Sequence, residues 1–278
     1  MLSLLLAIAS SSLISILMRL SNEKVKNNIG MLAMNYIMCL ALSVYFTGAG
    51  NLFSSHPDLP QTIGMGAIHG ILYLTSFVML NISTRRNGVV LSSIFMKLGL
   101  LVPMVVSILI FGEMPTLLQG IGFFVAIAAI VLINTQPGKT RFSFNWLLFL
   151  LLLGGGSGDA MAKIYEELGN PSLTPQFLLY TFVVAAILCL TLMLYKKQRI
   201  GLMEAVFGMV IGIPNFFSAK FLLGALETLP AVITYPTYSV CTILVTTLAG
   251  VCFFKEQLSK RQWAALGIIL IAVALLNT

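Results

Sequence analysis

Apolar stretches of about 20 residues alternate with short polar segments along almost the whole chain. A helix needs roughly 20 apolar residues to cross the hydrocarbon core of a bilayer, so the stretches have the length of membrane spans. They do not alternate residue by residue between apolar and polar positions, as the strands of a membrane β-barrel do. The pattern predicts ten transmembrane helices, over residues 2–18, 29–48, 63–82, 88–111, 116–134, 146–163, 173–195, 202–224, 230–253 and 261–277.

Basic residues are concentrated in every second loop, namely the loops after spans 1, 3, 5, 7 and 9. The positive-inside rule places such loops in the cytoplasm. We therefore expect a multi-pass protein of the inner (cytoplasmic) membrane whose termini both lie outside the cytoplasm. The first apolar stretch has no positively charged segment ahead of it, so we interpret it as a retained first span rather than a cleaved signal peptide.

The chain contains two copies of one five-helix pattern. The segment FGEMPTLLQ, from Phe111, corresponds to FKEQLSKRQ, from Phe254, and the same offset pairs Asn134 with Asn277. Because five is an odd number, the second copy enters the membrane from the opposite side, which gives the inverted repeat typical of secondary transporters. We predict a first repeat over residues 1–135, a cytoplasmic linker over 136–145 and a second repeat over 146–278.

Composition supports an all-α integral membrane protein. Hydrophobic residues make up 58% of the chain and charged residues 9%, whereas soluble domains carry about 25% charged residues. The net charge of +7 does not indicate nucleic-acid binding, because the basic residues lie in the loops between spans. The four cysteines lie in apolar runs without CxxC spacing, so no disulfide, metal or cofactor is expected. No Walker, HExxH or GxSxG motif occurs, which argues against ATP drive by this chain and against an enzyme.

Two segments carry a family resemblance: ILIFGEMPTLLQGIGFFVAIAAIVLIN at 108–134 and GVCFFKEQLSKRQWAALGIILIAVALLN at 250–277. Each has an apolar helix, a Glu at its tip, a short turn and a closing helix with Gln and Gly. They resemble the drug/metabolite transporter superfamily, specifically its ten-helix EamA-type members. The resemblance implies a transporter in which helices 1, 3, 4, 6, 8 and 9 line a central cavity and helices 5 and 10 are peripheral. Such relatives are often proton-coupled or exchangers, and they include both importers and exporters.

Lys97 lies within the fourth predicted span, about 14 Å from Gly88 at 1.5 Å per residue. A lysine at the centre of a membrane helix costs about 2.5–3.5 kcal/mol on insertion scales, so Lys97 should face water or a carboxylate. Asp159 is the only acid deep within any span and is the best partner. A structural ion pair is the alternative for Lys97, and a local pair with Lys163, four residues on, is the alternative for Asp159.

Six further residues are candidates for substrate binding. Lys220 either contacts substrate or extends to the membrane interface. Asn215 follows Pro214, so its amide could satisfy a freed carbonyl or a ligand. The remaining candidates are the same-face pairs Tyr235 with Tyr238 on span 9 and His69 with Tyr73 on span 3, with interface anchoring and interhelical hydrogen bonding as the respective alternatives.

Several other polar or small residues receive structural interpretations. We expect Asn35 to join helices by hydrogen bonding and the glycines of GGGSG at 154–158 to let helices pack closely. Glu113 and Glu256 are expected to cap the helices that follow them, spans 5 and 10.

Taken together, these features predict a secondary active transporter that moves a small polar metabolite by alternating access. Lys97 would bind an anionic group and Asp159 an amine, which favours an amino-acid-like zwitterion; an organic anion fits if a lysine occupies Asp159. Proton coupling and exchange both stay open, as does the oligomeric state. The alternatives are a flippase for a lipid-linked substrate, a non-transporting subunit of a membrane complex, and an intramembrane enzyme that uses Asp159 or His69.

Overall fold

A computed structural model describes residues 1–21, 24–87, 92, 95–134, 146–255 and 260–277. The predicted linker at 136–145 and the predicted cap Glu256 lie outside the described residues. The described part of the chain is helical, and its α-helices are α1 Leu2–Ser21, α2 Asn28–Thr47, α3 Leu59–Asn87, α4 Leu101–Phe111, α5 Leu117–Asn134, α6 Trp146–Leu168, α7 Thr174–Tyr195, α8 Leu202–Leu226, α9 Ala231–Phe254 and α10 Lys260–Leu276.

Seven of the described helices are long and apolar enough to cross a membrane, and three shorter apolar helices accompany them. The shorter ones cover Phe95–Phe111, Leu117–Leu132 and Trp263–Leu276. The all-helical architecture predicted from the sequence is confirmed, whereas the total of ten spans stays a prediction. Many large apolar side chains point outward, such as Leu2, Leu109 and Phe124, each at least 70% exposed. Lipid acyl chains are as apolar as these side chains, so a bilayer accommodates them.

The described chain divides into two compact units. Unit 1 comprises Met1–Leu74 and Ile164–Glu227, and unit 2 comprises Thr75–Lys163 and Thr228–Thr278. Each unit therefore contains helices from both halves of the sequence. The proposed repeat boundaries are a different division of the chain, and they stay a prediction.

In unit 1, helix α8 packs against α1 and α2, and α2 packs against α7. Gly212 of α8 lets the α2 backbone approach, since a methyl group there would lie 2.7 Å from the carbonyl oxygen of Asn35. The side-chain amide of Asn215 donates to the Asn35 side-chain oxygen at 3.2 Å. The interhelical role predicted for Asn35 is thus confirmed.

A buried carboxylate fixes the start of α2. Glu204, in the first turn of α8, is 7% exposed. Its Oε1 accepts hydrogen bonds from the backbone N–H groups of Lys26 at 3.0 Å and Asn27 at 3.2 Å. Asn27 in turn caps α2 with its side chain, which accepts from the N–H groups of Ile29 and Gly30. These bonds satisfy donors that a helix start otherwise leaves unpaired.

In unit 2, α5 packs along α10, and α9 packs on α4, α5 and α10. Their shared core is apolar and includes Leu100, Met104, Ile130, Val240 and Ile269. Ahead of α4, residues Leu98–Leu100 form a 3₁₀ turn. Pro103 explains this turn, because proline has no N–H to donate to the carbonyl of Gly99 four residues earlier. The turn follows directly after Lys97.

Glycines bring this turn against α6. A methyl group at Gly99 would lie 2.8 Å from the backbone nitrogen of Gly156, and one at Gly156 would lie 2.7 Å from Cβ of Val102. Gly155 faces Met96 and Gly154 faces Met79 in the same manner. The packing role predicted for the 154–158 glycines is confirmed, since only residues without a Cβ permit this approach.

We expect Gly156→Ala to destabilise the protein, because added volume in a packed contact costs typically 1–3 kcal/mol. Gly267→Ala is the matched control: Gly267 also lies within a helix of unit 2, but no atom lies within 4 Å of the position its methyl group would take. There alanine should be neutral or stabilising, since it favours a helix by about 1 kcal/mol over glycine. Thermal unfolding in detergent measures both variants, and equal melting temperatures would contradict the packing argument.

Candidate functional site

Lys97 and Asp159 are electrostatic partners in unit 2. The charges of Lys97 and Asp159 are near enough to attract each other, and their pairing at a substrate site stays a prediction. Lys97 is exposed and Asp159 is half-buried. Lys97 precedes Gly99 by two residues and Asp159 follows Gly156 by three. The glycine contact between the 3₁₀ turn and α6 therefore brings the two charges near each other.

Lys97 lies far from the C-terminal end of its helical segment, Phe95–Phe111, and Asp159 lies far from both ends of α6. Lys97 is 14 residues before Phe111, the last residue of α4, which corresponds to about 21 Å. Asp159 is nine residues before Leu168, the last residue of α6, or about 14 Å. A lysine stem is too short to carry its ammonium over such a distance to the interface. We therefore expect the Lys97 ammonium to be stabilised by the Asp159 carboxylate and by water that reaches the exposed Lys97 side chain.

Tyr235 supports the helix segment that carries Asp159. Its side chain is fully buried, and its hydroxyl donates to the backbone carbonyl of Asp159 at 2.5 Å. This bond holds α9 against α6, and the prediction that Tyr235 and Tyr238 line a cavity stays a prediction. Tyr238 is half-buried, so of the two tyrosines it offers the more accessible surface.

A second charge pair in unit 2 was not foreseen from the sequence. Lys163 Nζ lies 2.7 Å from Glu113 Oε1, and their side chains are only 2% and 16% exposed. The other carboxylate oxygen, Oε2, accepts from the backbone N–H groups of Ala231 at 2.7 Å and Val232 at 3.3 Å. Glu113 thus connects the end of α4 to α6 and to the first turn of α9.

This arrangement corrects one sequence prediction. Glu113 was expected to cap the helix that follows it in the chain, here α5. Glu113 instead caps the start of α9, which lies more than a hundred residues later in the chain. Ala231 and Val232 are the first residues of α9 and their N–H groups have no partner within the helix, so a carboxylate there is favourable. The start of α5 is instead closed by Thr116 and Gln119, each of which accepts from the other's backbone N–H.

Four of the predicted site residues, His69, Tyr73, Asn215 and Lys220, lie in unit 1. His69 is buried, lies 3.3 Å from the Thr181 hydroxyl through Nδ1 and stacks on Phe177 at 5.2 Å. Its ring also lies 4.7 Å from that of Tyr73. These contacts match the interhelical hydrogen-bonding interpretation of His69.

Lys220 lies at a cavity of unit 1 with a volume of about 320 Å³. Its Nζ is 3.7 Å from the centroid of the Phe46 ring, a close cation–π contact. Asn215, one helical turn earlier on α8, is engaged with Asn35. Lys220, rather than Asn215, is therefore the polar residue of α8 that faces open space.

The sequence profile of the EamA-like transporter family matches residues 1–135 and again residues 143–278. The chain belongs to the EamA-like transporter family. It is a multi-pass membrane protein built on the two-repeat design of that family, whose members are transporters rather than enzymes. The resemblance to the drug/metabolite transporter superfamily seen in the sequence is thereby confirmed.

Two individual proteins are similar over nearly the whole length of this EamA family member. An uncharacterized protein of Haemophilus influenzae is 25% identical over 276 residues, covering 96% of this chain and 94% of its own. A protein of known crystal structure superposes with a TM-score of 0.72 at 15% identity, covering 99% of this chain and 98% of that one. At that identity the likeness shows a shared fold.

We expect Glu113→Gln to lower the free energy of unfolding by roughly 3 kcal/mol, because it leaves the buried ammonium of Lys163 without its carboxylate. Lys196→Gln is the control, since Lys196 is exposed just after the end of α7 and removal of its charge should change stability by no more than about 0.5 kcal/mol. Chemical denaturation in detergent micelles compares the two. Equal effects of both variants would show that the Glu113 contacts contribute little.

Proposed function

We propose that this EamA family member is a secondary transporter that moves a small zwitterionic metabolite of the amino-acid type by alternating access. The observation that carries the proposal is the exposed side chain of Lys97, within an apolar helical segment and in electrostatic reach of Asp159. Contact with acyl chains would cost several kcal/mol for such a charge. An aqueous space that admits a substrate removes that cost.

The two charges define the substrate class. Lys97 supplies hydrogen-bond donors for a carboxylate or phosphate, and bonds of this kind are strengthened by charge. Asp159 supplies acceptors for an amine. A molecule that carries both groups satisfies both residues at once, whereas an organic anion would engage Lys97 alone.

The accessibility of Lys97 and Asp159 supports a role in binding substrate over a purely structural role. Lys163 and Glu113 are nearly excluded from solvent and bonded to each other and to a helix start, as expected of a structural pair. Lys97 is exposed and Asp159 half-buried. Groups that must exchange a partner in every cycle need this accessibility. Asp159 would also be the group that binds a coupling proton, or in an exchanger the second substrate.

We expect Lys97→Ala to abolish uptake of amino-acid-like substrates by proteoliposomes, because the anionic group of the substrate loses its partner. Substrates are first selected by a thermal-shift screen of the wild-type protein with amino acids and organic anions, since a ligand that binds only the folded state raises the melting temperature. Lys97→Arg, which keeps the positive charge, should retain part of the transport.

One control variant and one further test variant complete this assay. Lys24→Ala removes an exposed lysine from the loop after α1 and should leave transport unchanged. Asp159→Asn should lose transport of zwitterions more than transport of simple anions and should lose any response to an imposed pH gradient. Normal transport by a folded Lys97→Ala protein would overturn the proposed site.

A further inference from the structure

The cavity of unit 1 combines aromatic walls with two opposite charges. It measures about 320 Å³ and is lined by residues of α2, α7 and α8, among them Phe46, Leu178, Phe216, Phe221, Lys220 and Glu227. Its volume is at the lower end of the range for small-molecule sites. The apolar walls suit a hydrocarbon portion of a ligand, and the charges suit polar groups.

Lys220 places a positive charge at the cavity, and an aromatic ring rather than a carboxylate is its partner in the described part of the protein. Its ammonium lies over the ring of Phe46 at 3.7 Å. Among the described residues, no carboxylate lies within 4.0 Å of this nitrogen. A cation–π contact at such a partly exposed site contributes about 0.5–1 kcal/mol and leaves the charge of the ammonium uncompensated. The cavity therefore favours a ligand with an anionic group.

The cavity lies at the level where the helices end. Phe46 is the last residue but one of α2, Thr174 is the first residue of α7, and Glu227 directly follows Leu226, the last residue of α8. In a bilayer this level corresponds to the headgroups, where aromatic side chains concentrate. Tyr45 and Phe46 are 77% and 41% exposed there. A ligand in the cavity can therefore extend an acyl chain along the apolar faces of these helices.

The signs of the two charges select the headgroup. Lys220 and Glu227 are seven residues apart, about two helical turns and so on the same side of the helix, and both line the cavity. A phosphate bound to Lys220 leaves Glu227 to accept hydrogen bonds from a primary amine joined to that phosphate by a short linker. Headgroups with a phosphate but no amine bring a negative charge near Glu227 without a positive charge to compensate it.

We propose that this cavity binds a phospholipid with a phosphoethanolamine headgroup, its phosphate on Lys220, its amine on Glu227 and the start of its acyl chains against Phe46 and Phe221. The site uses residues of unit 1 alone and does not depend on the transport function proposed above. It also uses α2 and α7, which are outside the set of helices that the family resemblance assigns to the transport cavity.

Native mass spectrometry of the detergent-purified protein tests this site with added phosphatidylethanolamine, phosphatidylglycerol and phosphatidylcholine of identical acyl chains. We expect the ethanolamine lipid to bind best, because it alone of the three offers Glu227 a hydrogen-bond donor that also carries a positive charge. Lys220→Gln should weaken binding about tenfold or more, since a charge-assisted hydrogen bond is lost. Lys24→Gln is the matched control, because the Lys24 ammonium also lies near an aromatic ring of unit 1, that of Phe207 at 5.8 Å, and should leave binding unchanged.

Three further arms separate the parts of the proposal. Glu227→Gln should reduce the preference for the ethanolamine lipid over the glycerol lipid, and an unchanged preference would overturn the role of the amine. Glycerophosphoethanolamine, the headgroup without acyl chains, should not displace the lipid at equal concentration; displacement would overturn the lipid as ligand. If Lys220→Gln binds the lipid with wild-type affinity, the proposed site is wrong. Lys220→Arg keeps the positive charge and should still bind, which shows that substitution at this position does not by itself unfold the protein.

Discussion

The attraction between the Lys97 ammonium and the Asp159 carboxylate is the interaction on which the account of this protein depends. Each charge alone would be costly within apolar helices. Their approach is possible because Gly99 and Gly156 bring two backbone segments closer than side chains would allow. Tyr235 adds a hydrogen bond to the carbonyl of Asp159 itself. Backbone geometry, rather than side-chain length, therefore positions the charges.

The described part of the structure contains two kinds of charged residue packed among the helices, and their surroundings distinguish them. The carboxylates of Glu113 and Glu204 are largely buried, and each accepts backbone hydrogen bonds from a segment distant in sequence. They act as fixed connections between helices. Lys97 and Lys220 are accessible, and neither is enclosed by a full set of partners. Accessible charges can bind and release a ligand, and we therefore assign the substrate site to Lys97 and the lipid site to Lys220.

Much of the fold could be predicted from the sequence because membrane helices follow local rules of length and hydropathy. Asn35, the 154–158 glycines and the hydrogen bonding of His69 were also predictable, since polar and small residues in apolar spans have few possible uses. The partner of Glu113 was not predictable, because it depends on which helix start lies beside it in three dimensions. The one signal in the sequence was Lys163, a lysine within the sixth predicted span of a chain that has only nine acidic residues to pair with it. The burial of Tyr235 likewise depends on how α9 packs against α6, which i and i+3 spacing alone does not reveal.

The most direct test of the central interaction is a double-mutant cycle on the purified protein. Lys97→Met, Asp159→Asn and the combined variant are each unfolded with denaturant, and the coupling free energy is calculated from the four stabilities including wild type. Mutual stabilisation predicts that the combined variant loses clearly less stability than the sum of the two single losses. Additive losses would show that the charges do not interact and would contradict the account.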